Sequence, residues 1–492
     1  MSGRTDFMSD TAEKTALAGK SRAGYLAFVC LMASLAGLLF GFDTAVISGT
    51  IESVKKQFAL TELMEGWFTS SALVGCILGA ATAGLLGDRF GRKPSLIISA
   101  ALFLMSGLGS TFPPTFGVLV AARLACGLGI GIASAVTPMY ISEFAPPKRR
   151  GRFVACYQLS IVIGILLAYL SNWVILRFAQ GYSAAGGSNH LLGWILGREH
   201  WRGMFGAEVL PAALFLGLLL LVPESPRWLI KSGRQSAGLE VLSRISGPRV
   251  AQREMEEIQR GLHQQESSFS ELLRPGLRTA LLVGVMLSVF GQLSGVNIVV
   301  YYGPKILMAA GYGDAGALLG QVGFGLINLL FTVVAMLVID SWGRRPLLIG
   351  GMAAVAFALA VIGVLFAISE SALAGPAGGV SKTVGLWIGV MICFYIACIA
   401  LSICAVIWVL TPEIFPNRVR SSAMSIATAA NWSTNAFSAL VFPWYAARFG
   451  LHTFFFTTAG ICLASTLFFL RYVPETKGRT LEEIEQLWLP RS

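Results

Sequence analysis

The chain has 492 residues, 55% of them hydrophobic and 13% charged, about half of the ~25% charged fraction of soluble domains. Its mean hydropathy of +0.69 is spread from Tyr25 to Tyr472 rather than gathered in one anchor, which excludes a water-soluble fold. The net charge of +11 would suggest a nucleic-acid partner in a soluble protein. In a membrane protein it asks instead on which side of the spans the basic residues stand.

Residues 1–24 are polar and mixed in charge, so no cleavable signal is expected ahead of the first span. Stretches able to cross a bilayer as helices follow near 25–49, 66–86, 95–112, 117–140, 153–175 and 202–222. After a polar segment, six more lie near 279–303, 317–339, 347–368, 384–411, 421–444 and 452–470. Twelve crossings put both termini on one side. Of the Lys and Arg residues, 28 fall on that side, while the other has only Lys55, Lys56, Arg177, Arg198, Lys305, Lys382 and Arg448. The termini are therefore predicted to be cytoplasmic in a multi-pass cell-membrane protein. The surplus charge serves topology and anionic lipid, with no nucleic acid required.

All eight cysteines lie inside apolar segments, so neither a disulfide framework nor a metal site is expected. Three motifs recur in order. Gly87-Asp88-Arg89-Phe90-Gly91-Arg92-Lys93-Pro94 returns as Asp340-Ser341-Trp342-Gly343-Arg344-Arg345-Pro346, Glu143-Phe144-Ala145-Pro146 as Glu413-Ile414-Phe415-Pro416, and Val222-Pro223-Glu224-Ser225 as Val473-Pro474-Glu475-Thr476. Each pair follows the second, fourth or sixth span of its half on the cytoplasmic side. The pattern predicts two parallel six-helix halves, at 25–222 and 279–470. Around them stand an N-terminal segment (1–24), a linker of short amphipathic helices (223–278) and a C-terminal tail (471–492).

These residues resemble the sugar porters of the major facilitator superfamily, which include bacterial sugar-proton symporters and facilitative glucose carriers. The marks are the two Asp...Gly-Arg loops, Arg123, Pro138-Met139-Tyr140-Ile141-Ser142-Glu143, Pro223-Glu224-Ser225-Pro226-Arg227, Gln292-Leu293-Ser294-Gly295-Val296-Asn297 with Tyr301-Tyr302, and Pro474-Glu475-Thr476-Lys477-Gly478. The resemblance implies an all-α major facilitator fold and sugar transport by alternating access, without a cofactor. No enzyme activity is expected: Gly19-Lys20-Ser21 has the tail of a phosphate loop, but Lys14 stands where its first glycine belongs.

Polar residues buried in spans cost free energy unless they find a partner or line a wet cavity. Gln158, Gln292, Asn297, Asn328, Asn431 and Asn435 offer the paired donors and acceptors that sugar hydroxyls need, and Trp408 and Trp432 offer flat faces for a pyranose ring. By resemblance, all of these except Asn435 match sugar-contacting positions, and Phe40 and Tyr301 match aromatic positions near the pocket. Ile165, two helical turns after Gln158 on the same face, would pack against the C6 methylene of a hexose, and Gly291 would open further room. Glucose is the expected first choice, with galactose or xylose also candidates.

Asp43 reads as the one carboxylate well within a span. It and Arg123 each lie about six residues, or ~9 Å, below the outer surface, so they can meet and trade a proton as the cavity opens. By resemblance, Asp rather than Asn at that position favours proton symport over facilitative uniport or a sugar sensor built on the same scaffold. Asp88, Arg92, Glu143, Arg152 and Arg227, with Asp340, Arg344, Glu413 and Arg420, are expected to form a cytoplasmic latch where the halves touch.

Overall fold

The computed structural model describes residues 3–145, 150–184, 193–261, 272, 277–374, 381–416, 419–478 and 483–484, which hold helices and no strand. Among them, eleven helical stretches are long and apolar enough to cross a membrane: Gly24–Gly49, Glu62–Arg89, Arg92–Thr111, Phe116–Phe144, Phe153–Tyr182, His200–Leu221, Leu277–Ala309, Asp314–Trp342, Arg344–Ser371, Lys382–Ile414 and Ser422–Tyr472. The last is two spans. Gly450, with φ 81°, breaks the helical path inside it and divides an eleventh span (422–449) from a twelfth (451–472). Both ends of the bundle lie on one face, the termini face; the opposite face is the far face.

Helix ends follow from local chemistry. On the far face, Thr61 and Thr115 accept backbone N–H bonds from Met64 and Val118, starting the second and fourth spans as N-caps. On the termini face the repeated motif makes the same corner twice. Gly91 (φ 109°) and Gly343 (φ 93°) sit between the second and third spans and between the eighth and ninth. A Cβ at either would lie 2.1 Å from Glu224 Oε2 or 2.7 Å from Glu475 Oε2, so both the dihedral and the space demand glycine. Those carboxylates cap the next helix: Glu224 accepts from the N–H groups of Arg92 and Lys93, and Glu475 from those of Arg344 and Arg345.

The linker forms three short helices, Pro226–Lys231, Gln235–Ser246 and Pro248–Gly261, gathered around Ile230, Leu242 and Ala251. Two spans are broken where hydropathy runs unbroken. The seventh kinks at Gly295 (φ 84°) and the tenth at Ser402.

The halves meet toward the far face. A Cβ on Gly66 in the second span would fall 2.0 Å from the Leu440 carbonyl oxygen in the eleventh, so the two backbones are in direct contact. Ser48 Oγ at the end of the first span donates to Gln321 Oε1 of the eighth at 2.9 Å, and within the second half Tyr302 OH donates to the Ala439 carbonyl at 2.9 Å.

Candidate functional site

The kink at Gly295 folds Asn297 back toward the residue before the break, and its Nδ2 donates to Gln292 Oε1 at 2.6 Å. Gln292 Nε2 in turn donates to Asn431 Oδ1 at 2.8 Å. One turn farther along both helices, Asn435 Nδ2 donates to the Tyr301 hydroxyl at 3.1 Å. Two polar rungs thus join the seventh and eleventh spans, and Asn435, which had no support from resemblance, belongs to the second. Beside them Trp432 stacks obliquely on Phe40 of the first span, with ring centroids 5.7 Å apart. The Trp432 indole N–H is buried without an acceptor among the described residues.

Gln158, Asn328 and Trp408 are not drawn into this cluster. The first two are half-buried and Trp408 is 47% exposed, and none makes a hydrogen bond to these rungs. Ile165 is half-buried against the main apolar core. Gly291 does not open the room expected of it. It is buried facing the tenth span, where Ile403 and Ile407 fill the space beside its Cα.

Arg123 Nη1 donates to Asp43 Oδ1, both side chains being essentially inaccessible. The guanidinium also lies 5.5 Å from the centroid of Phe205. Asp43 is not alone. Glu208, 1% exposed in the sixth span, accepts from Cys126 Sγ at 4.0 Å, and one carboxylate oxygen each of Asp43 and Glu208 and the Cys126 sulfur all lie within 4.8 Å of one another. The same depth count that paired Asp43 with Arg123 would have found Glu208, six residues in from position 202. Arg123 already supplies the positive charge of this cluster. Asp43, Thr69, Cys76 and Arg123 from the first half line one small cavity with Tyr301 and Trp432 from the second.

On the termini face, Arg92 pairs with Glu143 at 3.0 Å and Asp88 at 3.1 Å, and Arg344 pairs with Glu413 at 3.1 Å and Asp340 at 3.1 Å. Each pair lies within one half, and the two sets match position for position. Arg420 donates to the Phe415 carbonyl rather than to an acid, Arg227 is exposed, and Arg152 falls outside the residues whose side chains are described. These groups brace the corners of each half; the pairs they form do not bridge the halves.

A family model described as sugar (and other) transporter matches residues 29–488. The chain belongs to the sugar transporter family. It is similar to the D-xylose-proton symporter of Escherichia coli (strain K12), with 38% identity across 96% of this chain and 97% of that protein. It is also similar to the arabinose-proton symporter of Bacillus subtilis, with 36% identity across 95% and 96%. Among solved structures, the inward open conformation of the xylose transporter XylE from E. coli superimposes with a TM-score of 0.79 at 36% identity, covering 94% of this chain and all of that one. The two-half major facilitator fold of this sugar porter follows directly, with the halves closed toward each other at the far face.

Proposed function

We propose that the protein is a secondary active transporter that imports a monosaccharide together with protons by alternating access. Its two halves, 25–222 and 279–470, would rock against each other about the cavity that both line. One observation carries this reading: the buried Asp43–Arg123 pair and the aromatic residues Tyr301 and Trp432 line the same cavity from opposite halves. A sugar resting on Trp432 would therefore change the surroundings of the carboxylate that holds the proton. Asp43 and Glu208 around the single guanidinium of Arg123 carry one negative charge in excess when both are ionised, and one bound proton removes it. The orphaned Trp432 N–H and the Gln292–Asn297–Asn431 chain supply groups that sugar hydroxyls can satisfy.

The excess of Lys and Arg on the termini face supports a cytoplasmic placement of that face. A proton moving inward then gains ~2.3 kcal/mol per 100 mV. The xylose-proton and arabinose-proton symporters among its relatives speak for proton coupling and for pentoses. Ile165 speaks for a glucose-like hexose, and with Gly291 closed off it is the remaining support for that preference. One methylene discriminates by only ~1 to 3 kcal/mol, so both sugars are expected to be carried, glucose better.

Uptake into proteoliposomes under an imposed proton gradient tests the reading. Accumulation of labelled glucose that collapses with the gradient is expected. Equal uptake with and without the gradient would make the carrier a uniporter, and the absence of uptake for glucose, galactose, xylose and arabinose would remove the sugar assignment. Stronger displacement of labelled glucose by xylose than by glucose itself would overturn the hexose preference.

A further inference from the structure

Glu65 opens the second span at the far face, and its side chain has 0% exposure. Lys55 Nζ lies 2.7 Å from Glu65 Oε2, and Lys305 Nζ lies 2.6 Å from Glu65 Oε1. One carboxylate oxygen thus serves each ammonium. The two lysines belong to different bodies: Lys55 stands on the short helix Ile51–Phe58 after the first span, and Lys305 on Val296–Ala309, the outer part of the seventh. Glu62, 4.0 Å from Lys55 and half exposed, is the other acid paired there.

A carboxylate this deeply buried is tolerated when it is paired, and the surroundings show what the pairing holds. Gly66, the next residue, is in backbone contact with Leu440 of the eleventh span. Thr69, one turn deeper, borders the cavity of Asp43 and Arg123. Glu65 therefore sits directly outward of that cavity, where the second span meets the seventh and eleventh.

We propose that the Glu65–Lys305 bond is an outer lock of the carrier, and that Lys55 is a standing partner that occupies the other carboxylate oxygen within the first half. Opening the far face separates the second span from the seventh, which cuts the bond to Lys305. The bond to Lys55 lies within one half and survives. The balance between inward-facing and outward-facing forms thus depends on Lys305, while Lys55 leaves it nearly unchanged. Glu65 and Lys305 are positioning residues, since neither touches the proposed sugar or proton sites.

The inference rests on the alternating-access reading, but its test needs neither sugar nor a proton gradient, so the two can fail separately. Ile47 is buried at the cavity wall. An Ile47→Cys reporter in a Cys76→Ser background is labelled from outside with a membrane-impermeant thiol reagent. Lys305→Gln and Glu65→Gln are each expected to raise the labelling rate about fivefold or more, the lower end of typical conformational coupling. The double variant should gain little over either single one. Lys305→Arg should restore the parental rate, and Lys55→Gln should change it less than about twofold. A cysteine placed in the inner cavity should label correspondingly more slowly in the unlocked variants, which a loosened structure would not produce. Parental labelling in Lys305→Gln, or equal effects of Lys55→Gln and Lys305→Gln, would overturn the lock. If the buried Glu65→Gln variant does not fold, the lysine series, at positions 27% and 30% exposed, decides alone.

Discussion

Two carboxylates around one guanidinium make the Asp43, Glu208 and Arg123 cluster sensitive to a single charge. Asp43→Asn removes the group that holds Arg123 and should abolish accumulation against a gradient, while equilibrium exchange of labelled sugar continues. Concentrative uptake that persists in this variant would place the coupling elsewhere. Glu208→Gln leaves the Asp43–Arg123 pair intact but takes away the excess charge, so the pH dependence of uptake should flatten. Among the amides, Gln292 stands in the middle of the chain, accepting from Asn297 and donating to Asn431. Gln292→Ala should weaken sugar binding in calorimetry by about 1 to 3 kcal/mol. Adding Asn297→Ala should cost less than the sum of the two, because they share a bond. Asp43 and Arg123 were legible from depth alone, since both interrupt long apolar runs. Glu208 lies as far into its span as Arg123 does into the fourth and was open to the same count, whereas Glu65 was not, because a charge at a span end reads as a loop charge.

The repeated glycine–glutamate corners differ in their electrostatics although they match in shape. Burial is the largest influence on Glu224 and pushes its carboxyl above the usual range against its backbone bonds. At Glu475 burial also pushes upward, but four backbone N–H groups, on Lys477, Arg344, Arg345 and Thr476, together outweigh it and hold the carboxyl below the usual range. A lowered carboxyl stabilises the fold above its unfolded value and loses that stabilisation as pH falls through its folded value; a raised one does the reverse. Glu475→Gln should therefore lower thermal stability at pH 7 by about 1 kcal/mol, the usual cost of a lost cap, with the loss shrinking on acidification. Glu224→Gln should cost less at pH 7, and its cost should not shrink on acidification. Melting curves at several pH values check both. Span positions were legible from hydropathy to within a few residues, because each helix needs the same run of apolar side chains. The break at Gly450 falls in the gap already read between the spans near 421–444 and 452–470, whereas those at Gly295 and Ser402 were not legible, because they are backbone events inside runs that remain apolar. Gly291 misled for a related reason: a missing side chain makes room only on the face that the helix turns to the cavity.

At the scale of the whole molecule, closure of the far face depends on glycine as much as on charge. Gly66→Val cannot keep the backbone contact with Leu440. It should hold the outer ends apart, so that sugar still binds from outside in calorimetry while net uptake is lost; normal uptake by this variant would show that the contact opens and closes without needing so close an approach. Ile165→Gln should leave the fold and the proton cluster untouched and move competition uptake toward xylose.

The eleventh span carries Asn431 of the amide chain and, nine residues on, Leu440 of the outer contact, in one unbroken helical rod. At 1.5 Å per residue the two are about 13 Å apart along the axis. A rod of that length is a lever. If it pivots near the amides by about 5°, its outer end swings by about 1 Å, enough to forfeit a quarter to a half of the dispersion attraction at a close contact. A small adjustment of Asn431 around a sugar is therefore magnified where Gly66 and Leu440 touch, and stiffness of the backbone, rather than any chain of side chains, carries the signal between them.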